Sequence, residues 1–227
     1  MQIREISTTS SQVLEALLRA IPFYKAVRKE SEQQYQLLMQ FSRIVQFDSG
    51  ENILSRGDVD MWIYFVVKGQ LIVSFTDKEG HVYQVNYITP GEVFGDLSVL
   101  LHSPRTADVS VDSTSREAVL FGTDFSLFGD LTDFRQVSLM TKLLYFRHTN
   151  HSLRWKLEMY RSKYRNHPMS DKHREVKPYL VTKDDEFELT ALYEQSVSLA
   201  KLLLQWNKSF GNLSLTNGVI PGPNIDV

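Results

Sequence analysis

The stretch Phe94-Gly95-Asp96-Leu97-Ser98-Val99-Leu100-Leu101-His102-Ser103-Pro104-Arg105-Thr106-Ala107 decides the fold. Pro90-Gly91 and Gly95 mark turns at which backbone amides can approach a ligand, and the apolar run 97–101 reads as one short helix after Gly95. The amides of Gly95 and Leu97, at the head of that helix, suit an anion. Pro104 restricts the loop, so the Arg105 guanidinium is oriented for bidentate contact with phosphate oxygens, and the Thr106 hydroxyl adds a donor. Asp96 then accepts from a sugar hydroxyl. The plainer alternative is an Arg105–Asp96 salt bridge in a β-domain without a ligand.

On either side of this stretch, from Phe47 to Phe121, short β-rich runs alternate with Gly and Asp: 52–54, 62–67, 71–75, 82–88, 109–111 and 118–121. Lys68-Gly69 and Asp77-Lys78-Glu79-Gly80 read as hairpin turns, and Tyr83, Val85 and Tyr87 alternate as a half-buried strand should. Many short strands predict a jelly-roll barrel, and flanking helices make the class α+β. Residues 10–45 read as helix, with the stripe Val13, Leu14, Leu17, Leu18 and Ile21 interrupted at Pro22, and a second helix from Ser31. The expected division is a helical lead-in over 1–45, a β core over 46–123, lid and dimer helices over 124–165, a linker over 166–184, and a last helix and tail over 185–227.

After Thr123-Asp124 a short helix is expected near 125–131, then a long one over 134–164. Leu139, Leu143, Phe146, Asn150, Leu153, Leu157, Tyr160 and Tyr164 recur at steps of four and three, the seam of a coiled coil. That seam predicts a homodimer, with Asn150 fixing its register. A second stripe, Val137, Met140 and Leu144, is left to face the barrel. The last helix, about 184–210, repeats the three-four pattern with Leu189, Leu192, Ser196, Leu199, Leu203, Trp206 and Phe210. The tail from Gly211, rich in Asn, Gly and Pro, is expected to lack structure.

The 94–107 stretch resembles the phosphate-binding cassette of the cyclic nucleotide-binding domain family, the fold of the catabolite-activator-like cyclic AMP receptors, where Phe-Gly-Glu-Leu leads through a short helix to Pro-Arg-Thr-Ala. Asp96 stands where the family usually has a glutamate for the ribose 2′-hydroxyl. Ile21-Pro22-Phe23-Tyr24, Gly50-Glu51-Asn52-Ile53, Gly57-Asp58 and Tyr64-Phe65-Val66-Val67-Lys68-Gly69 extend the likeness, so that it covers about 15–165. The resemblance implies a phosphate held by Arg105, Thr106, Gly95 and Leu97 and a ribose held by Asp96. In bacterial members the long helix closes over the nucleotide, which implies Asn150, His151 and Ser152 at the base and Arg147 steadying Asp96. A bacterial source is expected on the same ground.

Composition narrows the function. The 227-residue chain has no cysteine, which excludes disulfides, thiol catalysis, zinc-thiolate sites and iron–sulfur clusters. A net charge of −2 excludes a globally basic nucleic-acid binder. Residues 147–177 nevertheless hold nine Lys or Arg against three acids, a block that suits nucleic acid, an acidic partner, anionic lipid or plain solvation. Direct DNA binding is not expected, because residues 166–227 supply one clear helix where a helix-turn-helix domain needs about three. The barrel holds only His81 and His102, with no His-x-His pair, no nucleophile elbow and no Walker loop, so neither catalysis, a metal nor a cofactor is expected. No window approaches 18 apolar residues and the N-terminus lacks a signal peptide's apolar core; the expectation is a cytoplasmic protein without a membrane span. The reading is a non-enzymatic sensor of cyclic AMP, or less favourably cyclic GMP, signalling through its C-terminal helices to an unidentified protein effector. The alternatives are a cyclic nucleotide-dependent transcription regulator and a dimeric scaffold with a silent pocket.

Overall fold

The run Trp62–Val67 is apolar without alternation because its strand is buried on both sides. Ile63 and Phe65 face the helices, while Tyr64 and Val66 face the second sheet. The protein, seen in a computed structural model that describes residues 2–5, 18, 21–76, 82–180 and 182–217, builds its middle from two antiparallel sheets. The strands are β1 (Gln2–Glu5), β2 (Ser42–Asp48), β3 (Asn52–Leu54), β4 (Trp62–Lys68), β5 (Leu71–Thr76), β6 (Val82–Ile88), β7 (Val93–Phe94), β8 (Asp108–Val111) and β9 (Glu117–Asp124). One sheet runs β1-β2-β9-β4-β7 and the other β3-β8-β5-β6. This is the expected α+β jelly roll with C-terminal helices. The expected Asp77–Gly80 turn, most of the stripe before Pro22, and residues from 218 on lie outside the described residues.

Helices cover the outer face of the five-stranded sheet. Helix α1 (Pro22–Glu30) opens on proline, whose missing N–H costs nothing there, and α2 (Glu32–Gln40) is capped by Ser31, which accepts from the Gln34 amide at 3.2 Å. The expected helix over 10–45 stops short of Ser42. Ser42 to Asp48 pair instead with β9, and the Ser42 hydroxyl donates to the Leu38 carbonyl and bonds Thr123, joining helix end to sheet. The fully buried Tyr24 shares Thr123 through its hydroxyl, and burial pushes its phenol well above the ordinary tyrosine range.

The cassette helix is α3 (Asp96–Leu100), and a 3₁₀ turn (Phe125–Phe128) follows β9. The long helix α4 (Leu139–Lys163) begins five residues later than Phe134 because Ser138 caps it, accepting from the Thr141 amide at 3.2 Å. The buried Lys142 gathers the carbonyls of Asp130, Leu131 and Asp133 at 2.5, 3.2 and 2.8 Å, which holds 130–133 out of the helix. A short α5 (Lys172–Glu175) interrupts the expected linker, and α6 (Glu186–Asn217) carries helix through Gly211 to Asn217, where no structure was expected. Adding a residue to an existing helix costs far less than starting one.

The seam expected to meet a second copy is met by α6 of the same chain. Leu143, Phe146, Leu153 and Leu157 are buried with Leu189, Leu192, Leu199, Leu203 and Trp206 in one apolar cluster. Tyr160 stacks on Trp206 at 5.4 Å, and Phe146 meets Tyr193 edge-on. The two helices run parallel, since Arg147 pairs with Glu188, Asn150 with Ser196, and Tyr160 with Asn207. A parallel pair within one chain needs a return path. Residues 164–185 supply it, running back along α4 with Arg161 on Asp171, Glu158 on His173 and Arg174, Arg154 on the Val176 carbonyl, and Arg147 on Asp184. The basic block therefore spends much of its charge on the strap that returns along its own helix.

Candidate functional site

Gly95 sits at φ +83°, a conformation that favours glycine, and links β7 to α3. A Cβ there would lie 2.8 Å from Arg105 Nη1 and 2.9 Å from the Trp62 carbonyl. Arg105 is held from behind by its own backbone: its amide donates to the Asp58 carbonyl at 2.8 Å, and its carbonyl accepts from Gly57 at 2.9 Å. The Gly57-Asp58 turn thus seats the arginine loop.

Arg105 is 4% exposed, and protein acceptors take every one of its five N–H groups. Nε donates to Asp60 at 3.1 Å. Nη1 donates to the Gly95 carbonyl at 2.6 Å and the Ser98 hydroxyl at 2.7 Å. Nη2 donates to the Trp62 carbonyl at 2.6 Å and, in the second arm of a bidentate pair, to Asp60. The guanidinium is positioned by four residues from two segments, 60–62 and 95–98, and its counter-charge, Asp60, is itself partly exposed.

Asp96 takes no part in that network, so the Arg105–Asp96 bridge is not formed. It is 3% exposed, its Oδ2 has no hydrogen-bond partner, and the cation facing it is Lys156 of α4, 4.0 Å away. Lys156 Nζ also donates to the Val93 carbonyl at 2.9 Å, so one side chain ties α4 to the strand before the cassette. Burial, followed by the Asp96 charge, pushes the Tyr145 phenol well above its ordinary range. Burial lowers the His148 pKa, with His151 adding to the effect and Asp96 opposing it. Asp96 is therefore felt across a patch made by Tyr145, His148 and Lys156.

The other expected site residues divide. Leu97 is half-buried against the apolar core and Thr106 is exposed. Ser152 falls between His148 and Lys156 on the row 140, 144, 148, 152, 156, which recurs every four residues, and His151 is exposed. Two expectations fail. Arg147 steadies not Asp96 but Glu188 and Asp184, at 2.6 and 2.8 Å, and Asn150 is not at a base edge but buried under α6, donating to the Leu192 carbonyl at 2.9 Å and accepting from Ser196 at 3.1 Å. Both lie on the side of α4 turned to α6. Asp60, Ser98 and Lys156 were missed. Lys156 was legible, because the barrel-facing stripe continued by fours ends on it; Asp60 carried no signal beyond its place after Gly57-Asp58.

Residues 44–128 match the cyclic nucleotide-binding domain family. The match spans β2 to the 3₁₀ turn and so contains both Arg105 and Asp96. Within the curated proteins, the cAMP-dependent protein kinase type II regulatory subunit of Drosophila melanogaster is 29% identical over 100 residues, 43% of this chain and 25% of that protein. The cAMP-dependent protein kinase regulatory subunit of Mucor circinelloides f. lusitanicus is 32% identical over 90 residues, 39% of this chain and 21% of that protein. The chain thus spans a quarter or less of the length of these relatives. Among solved structures, the regulatory domain of Toxoplasma gondii PKA with cAMP is similar at a TM-score of 0.48 and 18% identity, covering 65% of this chain and 60% of that one. The sensor domain of the transcriptional regulator DNR from Pseudomonas aeruginosa is similar at 0.48 and 16% identity, covering 65% and 93%. None of the described helices is long and apolar enough to cross a membrane, and no cluster of metal-ligating side chains occurs among the described residues.

Proposed function

We propose that the chain is a non-enzymatic regulatory protein that binds a cyclic nucleotide, cyclic AMP ahead of cyclic GMP, and passes occupancy to a protein partner through α4 and α6. The observation that carries this reading is the cassette itself: Gly95 in its left-handed turn, Arg105 oriented from four sides, and Asp96 tied to α4 by Lys156. A cyclic phosphate at Arg105 exchanges with acceptors already on the guanidinium, and a ribose hydroxyl at Asp96 Oδ2 supplies the donor that this buried oxygen lacks. Loosening the Asp96–Lys156 contact then acts directly on α4. The preference for cyclic AMP rests on the matched relatives, which are named cAMP-dependent.

A second reading, a silent pocket, is favoured by the saturation of all five Arg105 donors. Isothermal titration with cyclic AMP and cyclic GMP separates the two. The sensor reading predicts binding that weakens by about 2–5 kcal/mol, roughly thirtyfold to a few thousandfold, in Arg105→Ala. Arg105→Lys keeps the buried charge but loses the fork, and serves where the alanine variant fails to fold. No heat and no thermal shift with either nucleotide would overturn the sensor in favour of the silent pocket.

A further inference from the structure

The α4 and α6 stripes are the same heptad written twice. Asn150 bonds Ser196, 46 residues on, and the same offset takes Leu143 to Leu189, Phe146 to Leu192, Leu153 to Leu199, Leu157 to Leu203 and Tyr160 to Trp206. These residues are buried against one another in a parallel pair. Parallel, in-register and with one polar position in the middle, this is the geometry of a two-stranded coiled coil between identical chains, built here within one chain.

We propose that α6 is a built-in partner helix, covering in cis a surface of α4 on which the α4 of a second copy of this chain docks when α6 is displaced. The seam argues for a second copy as the occupant. Every apolar position that meets α6 repeats at steps of four and three, so an identical α4 offers the same knobs and holes, and Asn150 would face its own counterpart, a pairing that selects two parallel strands. None of these seam positions carries a charge. The charged contacts lie at its margins: Arg147 with Glu188 and Asp184 at the head of α6, and the strap along Arg154, Glu158 and Arg161. α6 also rests on α3 and β6, so the cover touches the cassette helix as well as the seam. The proposal does not depend on which ligand the cassette takes.

The absence of native cysteine gives a clean background for cross-linking. Under oxidation, Asn150→Cys/Ser196→Cys in the full chain is expected to close a disulfide at monomer mass, and Asn150→Cys alone to stay unlinked. Light scattering after gel filtration is expected to give a monomer for the wild type and a dimer for Leu199→Glu/Leu203→Glu, which strips α6 from the seam. In Asn150→Cys/Leu199→Glu/Leu203→Glu the link should form between copies. Where those charges unfold the chain by circular dichroism, Glu188→Arg decides: it breaks only the head contact, and a dimer fraction rising with concentration is expected. A wild type that cross-links through Asn150→Cys alone would overturn the proposal. So would a folded α6 variant, or Glu188→Arg, that stays monomeric at every concentration.

Discussion

The cassette and the helix pair each bury polar side chains, and they do so for opposite ends. In the cassette, Arg105 brings a full charge inside and uses every donor to fix the mutual position of Asp60, Trp62, Gly95 and Ser98. In the helix pair, Asn150 brings one neutral amide into an apolar seam, where it marks register against Ser196 and the Leu192 carbonyl. The first arrangement costs stability and fixes the loop that the proposed site needs; the second costs little and fixes register. Truncating an apolar residue of the pair should therefore harm the fold as a whole, whereas disturbing the cassette should harm the site first.

The largest effect is expected at Trp206, which is 1% exposed and stacked on Tyr160. Trp206→Ala should lower unfolding stability by about 3–5 kcal/mol in a urea titration, the scale of a large aromatic removed from a core. A loss below about 1 kcal/mol would mean that α6 is docked only loosely, and the contrast between the two regions would fail. Gly95→Ala comes next. A Cβ at φ +83° costs about 1–2 kcal/mol in backbone strain alone, and it presses on Arg105 Nη1 and the Trp62 carbonyl. The expected signature is a modest fall in melting temperature together with a loss of cyclic nucleotide binding greater than that fall explains. Equal binding in the variant would show that the Arg105 position is not tuned by Gly95.

The cassette was legible because its chemistry is local. Gly95, Pro104 and Arg105 lie within eleven positions, and a turn, a stiff loop and a guanidinium suggest an anion without any knowledge of the barrel. Its electrostatic partners were not, since Asp60 and Lys156 reach the site from 45 and 60 positions away and their roles exist only after the sheets close. The seam on α4 was legible for the same local reason, heptad spacing, while its occupant was not. Periodicity says that a face must be covered; it does not say by which chain. The 46-residue offset between the stripes was present in the sequence, but its meaning depended on the strap that makes a parallel return within one chain.

The smallest effect tests that strap. Glu158 lies at its centre, with His173 Nε2 at 2.9 Å, Arg174 Nη2 at 3.1 Å and Arg161 Nη1 at 3.4 Å. The hydrogen bond with His173, followed by the one from Arg174, pulls its carboxyl down to about 2. A depressed folded pKa means that the stabilisation is fully present above the unfolded value, about 4.3, and is lost as the pH falls from there towards 2. Because the carboxylate is 43% exposed, solvent and salt screen it, and the contribution is that of a surface network, about 1 kcal/mol or less. Glu158→Gln should melt below the wild type at pH 7, and the gap should narrow steadily as the pH falls from about 4.5 towards 2 and also shrink in high salt, because protonation or screening removes from the wild type what the substitution has already removed. A gap unchanged across that range would assign the strap's stability to Arg154 and its carbonyl partners, His173 and Val176, which neither acid nor salt weakens to the same degree.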